Sequence, residues 1–478
     1  MTARLYISAA HKSSGKTTVS IGLAAAFAAR GTSVQCFKKG PDYIDPMWLA
    51  HASGRPCFNL DFNTQKHDEI LRMVASRARG ADVALIEGNK GLHDGVDIEG
   101  SDCSAALAKL TRAPVVLVID VLGITRGIAP LLLGYQAFDT DVHIAGVILN
   151  KVSVARQVSK LRQAIERYTD FPVLGALPRN NELAVTERHL GLMTPSEAPA
   201  TEAAIAAMRR TVEAGVDLDR VLAAGKTAVA LKPPLSEASA ANISTSSDAP
   251  PRVRVAIARD AAFGFYYADD LEAFERAGAE LCFFDALSDA CLPKADGLFI
   301  GGGFPETHAA RLSANASLRA DIAAKLHAGM PAYAECGGLM YLCRSIRWGD
   351  ETHEMVGVIP ADAVMHQRPQ GRGLVFLEEM ANFPWTSPGG AKQRTQAHEF
   401  HYAALENLDQ GMRFAWRIER GAGIKNGLDG LVNNNFLAGF SHLRSTETYP
   451  WVEHFVEFIR INLITDGCSD GDSTEYDK

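Results

Sequence analysis

The chain has 478 residues, of which 47% are hydrophobic and 22% charged, as in an average soluble globular protein. This composition excludes a disordered or fibrous protein, and the length predicts two or three domains. The net charge of −8, from 48 basic and 56 acidic residues, argues against a general nucleic-acid or anionic-membrane surface. There is no apolar run of membrane-spanning length and no signal-peptide pattern, and the eight cysteines lack metal-type spacing. We therefore expect a cytoplasmic protein that binds neither nucleic acid nor membranes.

Short apolar segments alternate with helical patterns through the first half of the chain. Continuous apolar strands separated by helices predict an α/β fold with a parallel sheet. The pattern restarts in the second half, which predicts a second α/β domain. The predicted strands lie at residues 4–10, 33–39, 82–88, 113–121, 143–152, 171–178, 252–260, 280–286, 296–303 and 330–338.

The segment 232–252 interrupts this rhythm. It is rich in Pro, Ser and Ala and has no hydrophobic periodicity, which is typical of a flexible linker. The last residues are acidic and polar, which predicts disorder. The predicted organisation is a first domain at 1–231, a linker at 232–252, a second domain at 253–462 and a disordered tail at 463–478.

A phosphate-binding loop is predicted at residues 10–18, AHKSSGKTT, between a strand and a helix. In such loops small residues let backbone N–H groups surround a phosphate, a lysine contacts the outer phosphates, and a hydroxyl ligates Mg²⁺. Ala10 replaces the first glycine of the consensus, which is tolerable if its φ is negative. The alternative is an ordinary surface turn before a helix. The predicted nucleotide-binding residues of this loop are Ser14, Gly15, Lys16, Thr17 and Thr18.

Carboxylates follow two neighbouring predicted strands. Glu87 ends one strand, while Asp42 and Asp45 follow another, so all three are expected at the sheet edge that carries the phosphate loop. Glu87 and Asp45 are candidates, with Thr17, for holding Mg²⁺. For either aspartate alone, the alternative is a helix cap or a turn residue.

A candidate nucleophile lies in the second half. Cys336 stands between a predicted strand and a helix and is followed by two glycines, which is the pattern of a nucleophile elbow. Gly302 and Gly303 end an earlier strand and could supply oxyanion-binding N–H groups. His442, near the end of the fold, is a candidate general base. The alternative is a buried cysteine before a tight turn, but the three features together predict hydrolysis of an amide through a thioester.

These motifs resemble a known family. ECGGLMYL and GGGFPE are similar to the triad-type, class I glutamine amidotransferase domain, and SSGKTT, KKGPDYIDP, LIEGNKGLHDG, ILNKV and ERHLGL resemble cobyrinic acid a,c-diamide synthases. The resemblance runs in order from about residue 4 to residue 460. It implies a first domain with a dethiobiotin synthetase-like, P-loop NTPase fold, and a second domain with a class I amidotransferase fold.

The resemblance also implies an activity. Cys336 and His442 would release ammonia from glutamine, and ATP with Mg²⁺ would activate acetate carboxylates of a corrinoid for amidation. Asn150 of ILNKV would join the ATP site. The residues implied in binding the acidic macrocycle are Lys38, Asp42, Tyr43, Arg188 and His189. The number of amidations and the oligomeric state, a homodimer included, stay open.

The sequence departs from the family pattern at two places, of which the first leaves the mechanism unchanged and the second leaves the macrocycle open. The family has His-Leu-His where this chain has His442-Leu443-Arg444, and a hydrophobic residue where this chain has Asn89. A sirohydrochlorin or sirohaem-type ring is therefore an alternative substrate. A P-loop ATPase switch without amidase activity is an alternative of another class. Against it, this chain has His11 where the partitioning ATPases carry a signature lysine. A protein whose amidotransferase half is inactive is a further alternative.

Overall fold

The structure is a computed structural model, and it describes residues 2–179, 187–188, 191–192, 194–195, 201–232, 252–385 and 392–469. The chain divides into two compact units, Met1–Asn242 and Ile243–Lys478, called here the N-terminal and C-terminal units. This division falls within the segment 232–252, whose interior lies outside the described residues. Across the described ranges, no helix combines the length and the apolar character needed to cross a membrane.

A seven-stranded sheet forms the centre of the N-terminal unit. Its strands are β1 (Ala3–Ala9), β2 (Val34–Lys39), β3 (Phe58–Leu60), β4 (Val83–Glu87), β5 (Val115–Asp120), β6 (Ile144–Val152) and β7 (Val173–Pro178). The spatial order is β3-β2-β4-β1-β5-β6-β7, and every pair is parallel. The predicted parallel sheet is confirmed, although the three-residue strand β3 was too short for an apolar pattern to reveal. A further pair of two-residue strands is antiparallel and consists of β8 (Glu187–Arg188) and β9 (Gly191–Leu192).

Eight helices of the described part belong to this unit. They are α1 (Lys16–Ala29), α2 (Ile44–Ser53), α3 (His67–Arg77), α4 (Ser104–Leu110), α5 (Ile128–Phe138), α6 (Ala155–Tyr168), α7 (Thr201–Gly215) and α8 (Leu218–Lys226). Helix α1 is alanine-rich and almost entirely buried, and it packs against α2 and α7. Gly22 allows the approach to α7, because a Cβ there would lie 2.5 Å from Val212 Cγ2 and 2.9 Å from the Met208 carbonyl oxygen.

The C-terminal unit contains three sheets. Their strands are β10 (Val253–Ala258), β11 (Phe263–Phe265), β12 (Ala279–Phe284), β13 (Gly297–Ile300), β14 (Gly302–Gly303), β15 (Ala332–Glu335), β16 (Cys343–Trp348), β17 (Glu351–Glu354), β18 (Ile359–Met365), β19 (Gly371–Glu379), β20 (Arg394–His401), β21 (Ala403–Glu406), β22 (Arg413–Arg420), β23 (Leu428–Asn433) and β24 (Phe436–Gly439).

The main sheet of this unit is mixed. Its order is β12-β10-β13-β15-β24-β23-β22-β19-β20, and the first five strands are parallel while the rest are antiparallel. Smaller sheets are formed by β11-β14 and by β17-β16-β18-β21. The predicted α/β class is confirmed, but the antiparallel extension was not predicted. Strands β19 and β22 of this extension are half-exposed, so they lack the continuous apolar runs of the parallel strands.

The described helices of this unit are α9 (Ala268–Arg276), α10 (Ala309–Ala314), α11 (Ala316–His327), α12 (Gly337–Leu342) and α13 (Trp451–Ser469), with a 3₁₀ turn at Pro305–His308. Helix α13 extends beyond the predicted domain end at residue 462. Residues 463–469 are therefore helical, where the sequence predicted disorder, because the helix that begins at Trp451 continues through them. The rest of the predicted tail lies outside the described residues.

A matched pair of glycine substitutions tests the packing of α1. Gly22→Ala should lower the free energy of unfolding by about 1–3 kcal/mol, because the added methyl meets Val212 and a backbone carbonyl. Gly134→Ala, in the middle of α5 with nothing within 4 Å of its Cβ position, should raise the stability by about 0.5–1 kcal/mol. Chemical denaturation of both variants measures the difference, and equal effects would contradict the packing argument.

Candidate functional sites in the two units

The loop between β1 and α1 has the backbone of an anion-binding loop. Ser13 and Gly15 have positive φ values of 65° and 89°, while Ala10 is not among the residues with positive φ. Helix α1 then begins at Lys16, so its N-terminal N–H groups face the loop. A Cβ at Gly15 would lie 2.2 Å from Asn150 Nδ2, so glycine is required by space as well as by φ. The condition stated for Ala10 is met.

Side chains from later strands hold this loop in place. Asn150 Nδ2 donates a hydrogen bond of 2.8 Å to the Ser14 carbonyl, and Lys151 Nζ donates one of 2.9 Å to the Ser13 carbonyl. Ser14 is fully buried, and its hydroxyl donates to the His11 carbonyl at 2.8 Å. Asn150 therefore supports the loop backbone, and its predicted contact with ATP stays a prediction.

A buried cluster of charges lies beside the loop. The Thr17 hydroxyl lies 2.7 Å from Glu87 Oε1, to which it donates, and 3.2 Å from Asp45 Oδ2. Lys38 Nζ donates to Glu87 Oε1 at 3.0 Å and also to Asp45 Oδ2. Glu87 is fully buried and Lys38 is 3% exposed. The structure thus brings together Thr17, Asp45 and Glu87, as the parallel sheet predicted, with Lys38 at their centre.

The lysines and carboxylates of this cluster shift one another's pKa values. Burial lowers the pKa of Lys38, but Asp45, Glu87 and Asp42 outweigh burial and raise it well above its usual value. The pKa of Lys16 is lowered by burial and by the charge of Lys38. The charges of the two lysines therefore repel each other beside the phosphate loop, and a polyphosphate would reduce this repulsion.

The donor set also fits a magnesium ion. Glu87 Oε2 is buried and accepts no hydrogen bond from the described residues, so it is available as a ligand. Within the described ranges, no group of three or more His, Cys, Asp and Glu residues is arranged to hold a metal. Two carboxylates and the Thr17 hydroxyl suit Mg²⁺ nonetheless, because this ion takes few protein ligands and completes its shell with phosphate oxygens and water.

The predicted macrocycle-binding residues whose side chains the structure describes, Lys38, Asp42 and Tyr43, are buried or half-buried. Lys38 is buried in the carboxylate cluster, and Tyr43 is 8% exposed. Asp42 Oδ1 accepts hydrogen bonds of 3.0 Å from the N–H groups of Ile44 and Asp45, which is the turn role considered from the sequence. Loss of hydration and the charge of Asp45 raise the pKa of Asp42 to about 7. Arg188 lies in β8 with its side chain outside the described part, and His189 lies outside the described residues altogether.

In the C-terminal unit, Cys336 occupies a strained turn between β15 and α12. Its φ of 48° and ψ of −98° are rare for a residue with a Cβ. The Cys336 N–H donates to the Gly439 carbonyl at 2.7 Å, which ties the turn to β24. A Cβ at Gly338 would lie 2.3 Å from the Ile300 carbonyl, so the glycine lets α12 approach β13. The geometry is that of a nucleophile elbow, with Cys336 at its apex.

His442 lies against this cysteine. The imidazole interacts with the Cys336 side chain, and both residues are almost fully buried. Burial lowers the imidazole pKa, but the hydrogen bonds and charges of Cys336 and Glu335 raise the pKa of His442 to about 10. The predicted nucleophile and base are therefore brought together, and the imidazole favours its charged form beside the sulfur. This arrangement suits a thiolate–imidazolium pair.

The glycines predicted to bind an oxyanion border the same pair. A Cβ at Gly302 would lie 2.6 Å from His442 Cε1, and a Cβ at Gly303 would lie 1.9 Å from the Ala262 carbonyl. The Gly303 nitrogen lies next to Gly337, since a Cβ on Gly337 would be 3.0 Å from it. Both glycines are therefore placed beside the elbow, and their role in oxyanion binding stays a prediction.

Sequence reasoning missed three groups that surround His442. Glu335 Oε2 lies 3.3 Å from His442 Nδ1. The His398 ring stacks on His442 at 4.8 Å between centroids and 13° between planes. His442 N–H donates to the His398 carbonyl at 2.8 Å. Glu335 was adjacent to the predicted nucleophile and could have been found from that position. No local pattern connected His398, which lies on the antiparallel strand β20, with His442.

The departure at Arg444 has a structural explanation. Arg444 is 2% exposed and donates to Asp269 Oδ2 from Nε at 3.1 Å and from Nη2 at 2.9 Å. Its guanidinium also lies over the Tyr267 ring, 4.9 Å from the centroid. The Tyr267 hydroxyl is in turn 3.4 Å from His398 Nδ1. Arg444 therefore anchors the segment that follows His442.

Comparisons with known proteins agree with the two sites. A family profile described as a CobQ/CobB/MinD/ParA nucleotide binding domain matches residues 7–192. A second profile, a CobB/CobQ-like glutamine amidotransferase domain, matches residues 254–448. The protein therefore belongs to the class that combines a nucleotide-binding domain with a glutamine amidotransferase domain in one chain.

Relatives extend this match to the whole chain. The cobyrinate a,c-diamide synthase of Magnetococcus marinus is 43% identical over 457 residues, covering 96% of this chain and 97% of that protein. The enzyme of that name from Methanosarcina barkeri is 39% identical over 481 residues, covering 96% of each. A chain in the solved structure of PurLQS from Thermotoga maritima aligns over its full length with 45% of this chain, at 16% identity and a TM-score of 0.35, which is too low to support a conclusion. This chain belongs to the cobyrinate a,c-diamide synthase family.

A substitution at Asn150 tests its support of the phosphate loop. Asn150→Ala removes the hydrogen bond to the Ser14 carbonyl and should weaken the binding of a fluorescent ATP analogue by about 5- to 10-fold, since one such bond contributes about 1 kcal/mol. Asn435→Ala is the matched control, because Asn435 Nδ2 donates to the Gly329 carbonyl in the other unit. Unchanged affinity in Asn150→Ala would contradict the supporting role.

Proposed function

We propose that this protein is an ATP- and glutamine-dependent ligase that amidates the a and c acetate carboxylates of a corrinoid precursor. The observation that carries the proposal is the buried, interacting pair of Cys336 and His442 at a strained elbow, in a chain whose full-length relatives are named cobyrinate a,c-diamide synthases. We place the reaction in the cytoplasm, where ATP and glutamine are available.

The C-terminal unit would release ammonia from glutamine. The Cys336 thiolate attacks the side-chain amide carbon, and the N–H groups at Gly302, Gly303 and the start of α12 stabilise the oxyanion. His442, as imidazolium, gives a proton to the departing ammonia and leaves a thioester on Cys336. Water then hydrolyses the thioester to glutamate, with His442 accepting its proton. The raised pKa of His442 supports this role, because a protonated imidazole is needed at neutral pH.

The N-terminal unit would activate the acceptor. A carboxylate oxygen of the macrocycle attacks the γ-phosphorus of ATP, and ADP leaves. Ammonia then attacks the carbonyl carbon of the acyl phosphate, and phosphate leaves to give the amide. ATP is needed because a carboxylate has no leaving group that ammonia can displace. Two such cycles would modify the two acetate groups.

The residues of the N-terminal site divide into three roles in this proposal. The phosphate loop and its helix, with Ser14, Gly15, Lys16, Thr17, Thr18 and Asn150, bind or support the bound ATP. Thr17, Asp45 and Glu87 would hold Mg²⁺, which neutralises charge on the phosphates. The acidic macrocycle would be bound by Lys38, Asp42, Tyr43, Arg188 and His189.

The rival interpretations are weaker on specific grounds. A P-loop ATPase switch has no use for a cysteine with a positive φ beside a buried imidazole. An inactive amidotransferase half would not need to keep that strained cysteine. A sirohydrochlorin-type ring remains a rival substrate, because both macrocycles carry acetate groups. Asn89, the residue that departs from the family pattern, accepts a hydrogen bond of 3.1 Å from Lys39 Nζ.

Substitution of the nucleophile tests the coupling of the two activities. Cys336→Ala should abolish glutamine hydrolysis and glutamine-driven amidation, while ammonium salts still support amidation, because the acyl phosphate forms in the other unit. Mass spectrometry of the macrocycle is the measurement, since each exchange of OH for NH₂ lowers the mass by nearly one unit. Lys16→Met should abolish amidation from either nitrogen source.

The control for this experiment is Cys291→Ser, which changes an exposed free cysteine and should leave both activities intact. Equal loss of the glutamine-driven and ammonia-driven reactions in Cys336→Ala would mean that Cys336 has a structural role. Cobyrinic acid and sirohydrochlorin are offered in parallel. Two successive mass decreases on cobyrinic acid are expected, and amidation of sirohydrochlorin alone would replace the corrinoid as the substrate.

A further inference from the structure

A cysteine–histidine pair works as a hydrolase only if the imidazole is held in one orientation and one protonation state. In the described part of the C-terminal unit, the carboxylate nearest to the His442 imidazole is that of the residue immediately before the nucleophile. Glu335 Oε2 lies 3.3 Å from His442 Nδ1. We propose that Glu335 is the positioning residue that orients His442 and completes a Cys–His–Glu triad within the sequence Glu335-Cys336. This inference rests on the proposed release of ammonia from glutamine.

The Glu335 carboxylate is itself fixed in orientation. Its Oε1 accepts hydrogen bonds of 2.8 Å from the Tyr333 hydroxyl and of 2.8 Å from the Leu443 N–H. Both contacts fall on Oε1, so Oε2 is left to face His442. The Leu443 contact also links the carboxylate to the residue that follows the histidine. Glu335 is 2% exposed, so water does not compete for these contacts.

The partner that holds Glu335 is rigid as well. The Tyr333 ring stacks on Phe299 at 5.6 Å between centroids and 11° between planes. It also contacts Trp451, with 4.9 Å between ring centroids. The packed aromatic core therefore fixes the position of the Tyr333 hydroxyl. The hydroxyl in turn holds the Glu335 carboxylate, which contacts the His442 imidazole. A chain of this kind pre-organises a catalytic group without needing a mobile side chain.

The strained turn explains how consecutive residues can both contact one imidazole. In a regular strand, successive side chains point to opposite faces of the sheet. Glu335 is the last residue of β15, paired with Gly439 of β24, and Cys336 leaves the strand with a φ of 48°. The positive φ breaks the alternation. The carboxylate and the sulfur can therefore lie on either side of His442, which follows β24 along the chain.

Other buried acids of this unit have different partners. Asp269 accepts a hydrogen bond from the Arg444 guanidinium, and Asp270 accepts one from the Ser445 N–H. Asp429 accepts hydrogen bonds from the N–H groups of Phe440 and Ser441 at 3.0 and 2.8 Å. Glu399 accepts from two backbone N–H groups of the segment 422–423. Glu399 also lies 3.7 Å from His401 Nε2, but of the acids named here only Glu335 faces the imidazole of His442.

The charges around His442 agree with this assignment. Among the described residues, Cys336, Glu335 and His398 are ionisable groups that act on or stack against the ring. Burial and the charges of His442 and Arg444 lower the pKa of His398 well below its usual value, so it stays neutral. Glu335 is thus the group whose negative charge persists beside the imidazolium when the thiolate has been consumed as a thioester. With Nδ1 facing Glu335, Nε2 is the nitrogen available to the sulfur and the leaving ammonia.

Removal of the Glu335 charge is the decisive experiment. Glu335→Gln keeps the size of the side chain and should lower kcat for glutamine hydrolysis by about 10²- to 10³-fold, with KM for glutamine within about threefold. The alkaline limb of the rate profile should lie near pH 10 in the native enzyme, because the rate falls as the imidazolium loses its proton. In Glu335→Gln this limb should move to lower pH. Ammonia-driven amidation should be unchanged.

Two further variants separate orientation from mere packing. Glu335→Asp keeps the charge and should retain the alkaline limb while recovering part of kcat. Glu379→Gln is the matched control, because Glu379 is buried and accepts a hydrogen bond of 2.8 Å from the Tyr449 hydroxyl, as Glu335 does from Tyr333. It should leave kcat and the alkaline limb unchanged.

The possible failures are distinct. If the native protein does not hydrolyse glutamine, the proposed function fails and this inference with it. If the native protein is active and Glu335→Gln stays within threefold of it, only the triad assignment is overturned. A loss of activity in Glu335→Gln with the alkaline limb in its native place would also overturn it. If Glu335→Gln does not fold, Glu335→Asp takes its place in the test. An alkaline limb that has moved to lower pH in Glu335→Asp would also overturn the triad assignment.

Discussion

Both sites depend on one constraint, the parallel order of the central strands in each unit. Parallel strands end at the same edge of a sheet, so residues that follow them meet although they are distant in sequence. In the N-terminal unit, strands β1, β2 and β4 deliver Lys16, Lys38 and Glu87 to one edge. In the C-terminal unit, β15 and β24 are neighbours, and this pairing brings Cys336 and His442 together. A change of strand order would separate every one of these pairs.

Buried opposite charges are the second feature that the two sites share. Lys38 lies among carboxylates in one unit, and His442 lies against Glu335 in the other. Pairs of this kind contribute little net stability, because desolvation offsets much of the attraction. Their perturbed pKa values are typical of functional sites, where charge is held in place before a substrate arrives. The stability of each unit therefore comes mainly from its hydrophobic core and not from these charge clusters.

Departures from a family pattern are understandable only with their partners in view. Arg444, which replaces the histidine of the family motif, is buried and pairs with Asp269 from a helix far upstream. A guanidinium at this position requires that carboxylate and the Tyr267 ring beneath it. The sequence showed the substitution but not the acid that makes it tolerable, because ion pairing across a fold leaves no local signal. The same holds for His398, which stacks on His442 from an antiparallel strand.

The sequence by itself determined the class of fold, the parallel strands, the phosphate loop, the cysteine elbow and the family. These features are local: a buried strand is a continuous apolar run, and a loop that binds phosphate or exposes a nucleophile needs small residues at fixed spacing. Tertiary structure alone decided the antiparallel extension, the burial of Lys38 among acids and the contact of Glu335 with His442. Each of these depends on which strands become neighbours and which way a chain turns at a residue such as Cys336. Distances between residues that are far apart in sequence are set by the packing of several elements, and no single segment of the sequence determines that packing.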